Sequence, residues 1–286
     1  MGKQTMPSSV QEAFPDLRGE LIRYLDFPSR FVAPRHVDVW LPPSYHRFPR
    51  RRYPVIYMQD GQNLFNPATS FLGIDWGVDE TISRMEEEEQ VSAIVVAIWN
   101  SPQRILEYMP LRPLELMPRR KAIQRFEARF GQKPLSDAYL RFLTEEVKPF
   151  IDTHYRTLPE AQHTFVMGSS MGGLLSLYAL CEYPHVFGGS ASLSTSWTVA
   201  GRLIIPYVRM ILPRAGQHRL YFDYGIEARM ARYETYQREV GRIALRKGYV
   251  RGVDLLIERF PGAEHSESAW RARVDIPLRF LLRPIR

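Results

Sequence analysis

The segment best placed to do chemistry is Gly168-Ser169-Ser170-Met171-Gly172. A serine with glycine two residues to either side suits a tight strand-to-helix turn, which lifts the hydroxyl above a sheet edge while strand and helix approach closely. The surroundings supply both elements: an apolar strand, His163 to Met167, and an apolar helix, Met171 to Glu182. Ser170 is therefore the candidate nucleophile; Ser169 would lack the paired glycines. A serine hydroxyl reacts poorly at neutral pH unless a base lies within hydrogen-bond reach, so a histidine is required. The chain has seven. Where a serine turn of this kind is used, the partners follow in the order serine, acid, histidine, the last on the loop after the final core strand. Only His265 meets both conditions, because Val253 to Phe260 reads as that strand and Pro261-Gly262-Ala263-Glu264 as the loop; His185 and His218 follow the serine too soon.

The acid should lie beyond the C-terminal end of the preceding strand, where it can orient the imidazole and stabilise its charged form. Asp223 and Glu227 are the candidates, and Glu227 is preferred because Gly225 reads as the end of that strand. Charge on a tetrahedral intermediate needs two backbone donors, each worth about 3 kcal/mol in comparable enzymes. One would be the amide of Met171, directly after the nucleophile; the other would be that of Gln62, in the Asp60-Gly61-Gln62-Asn63 loop after an early strand.

The elements that must hold these groups are legible from periodicity. Glu20 to Phe27 and His36 to Leu41 are short extended segments that suggest an antiparallel edge, Val37, Val39 and Leu41 alternating with His36, Asp38 and Trp40. Val55 to Met58 and Val91 to Ile98 are near-continuous apolar runs, as in strands covered on both faces, with a helix Val78 to Glu89 between them. Tyr139, Phe142, Leu143, Val147, Phe150 and Ile151 mark one face of a helix over Ser136 to His154. Strand and helix then alternate: strand Gly188 to Ser192, helix about Arg202 to Leu212, strand Arg219 to Tyr224, helix Tyr233 to Arg246, the Val253 strand and a last helix. This order predicts an α/β protein, a mostly parallel central sheet with helices on both faces, in a single domain over 1–286. Leu111 to Pro134, rich in Pro and Arg, reads as an insertion of the kind that can cover a site.

Composition is that of an ordinary globular chain of 286 residues. The formal charge of +7 gathers only at Arg50-Arg51-Arg52 and Arg119-Arg120-Lys121 and forms no stripe interleaved with aromatics, which argues against nucleic acid as the partner. The single cysteine, Cys181, rules out an intrachain disulfide and falls in an apolar helical run. No apolar stretch reaches the length of a membrane span, and the first residues lack a signal-like apolar core, so the expected location is the cytoplasm.

With these residues placed, the sequence resembles the esterase family that includes esterase D-like enzymes, feruloyl and acetyl-xylan esterases, enterochelin-esterase-like hydrolases and mycolyltransferases. The resemblance is carried by Gln59 to Phe65, Asp75 to Glu80, Arg104 with Glu107-Tyr108, Pro149 to Asp152, Gly168 to Gly172, and His265 with Glu267 and Trp270. It implies the α/β-hydrolase fold, carboxylic-ester hydrolysis with no metal or other cofactor, and a triad on Ser170, His265 and Glu227. Two features depart from the family: Gly225-Ile226-Glu227 lacks the threonine common at the acid, and Leu111 to Pro134 is unusually long. The expected partner is a small acyl or carbohydrate-linked ester, with Trp76, Arg104, Tyr108 and Trp197 as candidates for shaping its pocket. Acyl transfer to an alcohol by the same triad, and polyanion binding without catalysis, are the competing functions.

Overall fold

The computed structural model describes residues 7–116, 121–226 and 231–283. Strands β1 (Ser9–Glu12), β2 (Glu20–Phe27), β3 (Arg35–Leu41), β4 (Val55–Gln59), β5 (Ile94–Ile98), β6 (Thr164–Ser169), β7 (Gly189–Leu193), β8 (Arg219–Ile226) and β9 (Leu255–Pro261) form one sheet. Their spatial order is β1-β2-β3-β5-β4-β6-β7-β8-β9. The first three strands are antiparallel to their neighbours, and everything from β5 to β9 is parallel. The parallel part obtains its covering from helices on both faces, which is why its strands are apolar on both sides. Val55 and Tyr57 join Ile94, Val96 and Ile98 in one core, while Ile56 and Met58 join Val95 and Ala97 in the other. Each such fully buried Val or Ile contributes about 1.5–3 kcal/mol relative to exposure. The helix Met171–Glu182 is apolar on nearly every side because it is buried between the sheet and outer helices.

Several boundaries differ from the periodicity, each for a local reason. The long helix over Ser136 to His154 is interrupted by a π-helical turn, Phe142–Val147, flanked by helices Ser136–Arg141 and Lys148–His154. Pro149 lacks the N–H that would bond the carbonyl of Glu145, and its ring crowds that carbonyl, so the ladder slackens there. β8 does not stop at Gly225: Gly225 pairs with Phe260 and Ile226 with Pro261. A Cβ on Gly225 would stand 2.0 Å from the carbonyl oxygen of Ala263, so only glycine lets the loop that carries His265 lie this close to β8. The region predicted as one helix near Arg202 begins earlier, with a short helix Trp197–Ala200 before the main one, Ile204–Ile211.

The Leu111 to Pro134 insertion leaves the C-terminal side of β5, the same sheet edge as Ser170. It holds helices Leu111–Glu115 and Lys121–Phe130, whose Leu114, Ile123 and Phe126 are buried in the main core. Arg112 reaches Glu182 at 3.3 Å. Residues 117–120, and with them Arg119 and Arg120 of the second basic cluster, lie outside the described residues. Cys181 is buried, and burial pushes its thiol well above the ordinary range.

Candidate active site

Ser170 occupies the turn between β6 and the helix Met171–Glu182 with φ 56° and ψ −121°, a conformation that costs a non-glycine residue about 1–3 kcal/mol and persists only when its surroundings impose it. They do so through the backbone: Ser170 N–H donates to Leu193 O at 2.8 Å, and Ser170 O accepts from Ser196 N–H at 3.0 Å and Leu174 N–H at 3.2 Å. Gly168 is required beneath it, because a Cβ there would meet the Gly172 carbonyl carbon at 2.7 Å. The turn leaves the Ser170 side chain half-buried, with Oγ 2.9 Å from Nε2 of His265.

His265 is delivered from the loop after β9, as its position in the chain predicts. Its ring stands edge-on to Trp270, centroids 5.1 Å apart, with Tyr233 at 6.4 Å. Burial, then the positive charges of Arg273 and Arg104, push the imidazole pKa below its ordinary 6.5, with Asp223 opposing them. A depressed pKa keeps the ring neutral, and so able to accept a proton, to lower pH. Nδ1 is buried and has no hydrogen-bond partner among the described residues. Glu227, the preferred acid, lies outside those residues. Asp223 is fully buried and engaged elsewhere: both of its oxygens accept from Arg273 at 3.1 Å, and it also accepts from Tyr221 Oη at 3.0 Å and Ser194 N–H at 2.9 Å.

Gln62 sits in a short 3₁₀ turn, Gly61–Asn63, directly after β4. The turn's own bonds are made by Asn63 N–H to Asp60 O and Leu64 N–H to Gly61 O, which leaves the Gln62 amide outside them. Met171 opens its helix, in the first turn where amides lack intrahelical partners and the helix dipole favours negative charge. The Gln62 loop is firmly held. Asp60, in left-handed conformation at φ 56°, receives a bidentate pair from Arg104 at 2.6 and 2.8 Å and a bond from Asn100 Nδ2 at 2.7 Å. Asn100 N–H donates to Gln62 Oε1 at 3.2 Å, and the Thr69 hydroxyl donates to Gln62 O at 2.8 Å.

Of the four residues expected to shape the pocket, three are sealed from solvent. Trp76 and Trp197 are 1 % exposed and Tyr108 is 0 % exposed. Trp76 packs on Trp270, the Trp197 indole donates to Gln237 at 3.1 Å, and the Tyr108 hydroxyl accepts from Asp60 N–H at 3.2 Å. Arg104 spends its guanidinium on Asp60. One residue close to the chemistry was not foreseen: the Ser196 hydroxyl is 2.8 Å from Ser170 Oγ. The only signal was the polar run Ser194-Thr195-Ser196 directly after a buried strand. Arg273 was also missed; it ties Asp223 to Ser194 Oγ at 2.9 Å and to Ala269 O at 3.0 Å.

A serine on a strained strand-to-helix turn, an imidazole from the loop after the last strand and this sheet order define a serine hydrolase of the α/β-hydrolase fold. The model of the family described as "Putative esterase" matches residues 29–276. The chain belongs to that family and is an esterase. Among curated proteins it is similar to the uncharacterized protein YbbA of Bacillus subtilis, 26 % identical over 193 residues covering 68 % of each chain. It is also similar to the carboxylesterase SOBER1 of Arabidopsis thaliana, 26 % identical over 47 % of this chain and 55 % of that one. Among solved structures it matches a ferulic acid esterase with TM-score 0.64 and 18 % identity over 93 % of this chain and 99 % of the other. The enterobactin esterase FES of Shigella flexneri matches with TM-score 0.67 and 18 % identity, over 94 % of this chain but 59 % of that one. No helix among the described residues is long and apolar enough to cross a membrane.

Proposed function

We propose that this esterase cleaves carboxylic esters through an acyl-enzyme, with Ser170 as nucleophile and His265 as general base. The observation that carries this is the 2.9 Å contact between Ser170 Oγ and His265 Nε2. Oγ attacks the ester carbonyl as its proton passes to Nε2; the tetrahedral intermediate collapses, and the same proton goes to the departing alcohol. Water then attacks the acyl group, giving its proton to Nε2, and the acid leaves as Ser170 recovers its hydrogen. The amides of Met171 and Gln62 take the charge on the carbonyl oxygen, the second held in place by Arg104, Asn100 and Asp60. Glu227 orients the imidazole through Nδ1; the engagement of Asp223 with Arg273 supports assigning that role to the glutamate. Trp76, Tyr108 and Trp197 act as supports of the pocket wall.

The substrate in this proposal is a small acyl or carbohydrate-linked ester; two proteins of similar fold are named for ferulic acid and enterobactin esters. The test is hydrolysis of p-nitrophenyl acetate by Ser170→Ala and His265→Ala, with circular dichroism to check the fold. Both should be inactive and folded, and intact wild-type protein quenched in the burst should carry an acetyl group on Ser170. Full activity in either variant refutes the assignment. A panel of acetylated sugars, feruloyl esters, siderophore lactones and thioesters then identifies the ester class. Product partition in the presence of added alcohols separates hydrolysis from acyl transfer, since a hydrolase yields only free acid.

A further inference from the structure

The Ser170 hydroxyl has two neighbours, His265 Nε2 at 2.9 Å and Ser196 Oγ at 2.8 Å, but only one proton to give. Resting on the roles proposed for Ser170 and His265, we infer that Ser196 is a further catalytic residue, whose hydroxyl donates to Ser170 Oγ and stabilises the charge that develops there as the nucleophile loses its proton. The argument is one of proton counting. When His265 acts as base, Nε2 presents a lone pair and Ser170 must donate to it. Two hydroxyl oxygens 2.8 Å apart need a proton between them, so Ser196 is then the donor. The opposite polarity, Ser170 donating to Ser196, would require a proton on Nε2 and would leave the base unable to act. A hydroxyl fixed as donor therefore selects the productive arrangement as well as stabilising it.

The backbone holds Ser196 for this task. Its N–H donates to Ser170 O at 3.0 Å, so the two residues are joined through main chain and side chain. Two residues earlier, Ser194 adopts φ 42° and accepts at Oγ from Trp270 Nε1 at 3.1 Å and Arg273 at 2.9 Å, which anchors the turn leaving β7. Ser196 is 5 % exposed, so water competes little for its hydroxyl. A neutral hydrogen bond that becomes charge-assisted in the transition state strengthens most where solvent is excluded, which is the condition for lowering a barrier.

The step that isolates this effect is phosphonylation by an alkyl fluorophosphonate: the Ser170 Oγ–P bond forms, P–F breaks, fluoride departs and the serine proton goes to His265. It requires no deacylation, so its second-order rate constant reports the nucleophile. Ser196→Ala should label about ten- to a hundredfold more slowly than wild type, the loss expected of a hydrogen bond to a charge-bearing atom. Its pH profile should keep the acid limb of the wild type, since His265 is untouched. Ser196→Thr, which retains a hydroxyl, should stay within about threefold. Ala-variant labelling within twofold of wild type, at an unchanged melting temperature, overturns the inference and leaves Ser196 a packing residue. Should the Ala variant fail to fold, Ser196→Cys, a near-isosteric weaker donor, takes its place, and a wild-type rate there overturns it equally. Labelling of Ser170→Ala would instead sink the nucleophile assignment itself, so the two failures are distinct.

Discussion

Removing Arg104 should damage this enzyme in two separable ways. Its guanidinium grips Asp60 at 2.6 and 2.8 Å, one residue before the Gly61–Asn63 turn that carries the proposed Gln62 donor, and its charge helps depress the His265 pKa. Complete loss of one oxyanion donor costs roughly 2.7–4 kcal/mol. Arg104 is not itself that donor, and Asn100 still holds both Asp60 and Gln62, so Arg104→Ala should forfeit about 1–2 kcal/mol, or five- to thirtyfold in kcat/KM. The second effect concerns pH. As the proposed base, His265 must be neutral to work, so activity should fall as pH drops through its pKa, which burial, Arg273 and Arg104 hold below 6.5 in the wild type. Without the Arg104 charge the acid limb of kcat/KM should move to higher pH. Arg104→Lys keeps the charge and loses the planar fork, so it should lower the rate while leaving the limb near its wild-type position. The assay is p-nitrophenyl acetate hydrolysis from pH 4.5 to 9, at a temperature well below the melting transition of each variant. Wild-type kcat/KM and an unmoved limb in Arg104→Ala would show that the clamp on Asp60 does nothing for catalysis.

Asp223→Asn removes half of a fully buried ion pair with Arg273, and stranding the guanidinium should cost about 3–5 kcal/mol of stability, seen as a lowered melting temperature, with initial rates at low temperature only modestly reduced. Glu227→Gln should do the reverse, reducing turnover strongly; a larger kinetic loss in the Asp223 variant would transfer the acid role. Asp79 is buried, accepts from Arg18 N–H, and has its carboxyl pushed up to about 6, chiefly by burial. Because the folded state then binds that proton more tightly than the unfolded one, Asp79 contributes most to stability below its unfolded pKa, and the contribution disappears as pH rises through about 6. Asp79→Asn should therefore gain about 1.4 kcal/mol over wild type between pH 5 and pH 8 in urea unfolding, and a difference independent of pH would contradict the burial argument.

Much of this protein is written in local pattern. The helices Val78–Glu89 and Met171–Glu182 and the strand Glu20–Phe27 follow from local pattern to the residue, because each is an apolar-rich run bounded by a nearby glycine or proline. Ser170 is marked by its glycines, and His265 by its place after the last strand, since chain order fixes which sheet edge a loop occupies once the strands are parallel. Side-chain partnership was not available in the same way. Nothing near Trp76, Tyr108 or Trp197 says that they are sealed in the interior, because burial of an aromatic depends on what other segments bring over it. Arg104 could have faced a substrate; it meets Asp60, forty-four residues away in the chain, only after β4 and β5 pair. Ser196 reaches Ser170, and Arg273 reaches Asp223, across twenty-six and fifty residues respectively. The sequence by itself determined the layered fold and singled out Ser170 and His265, the pair proposed as nucleophile and base, since these depend on period and order along one chain. Tertiary structure alone decided which polar groups pair, because a hydrogen bond is set by distances of about 3 Å that only the packing of remote segments can establish.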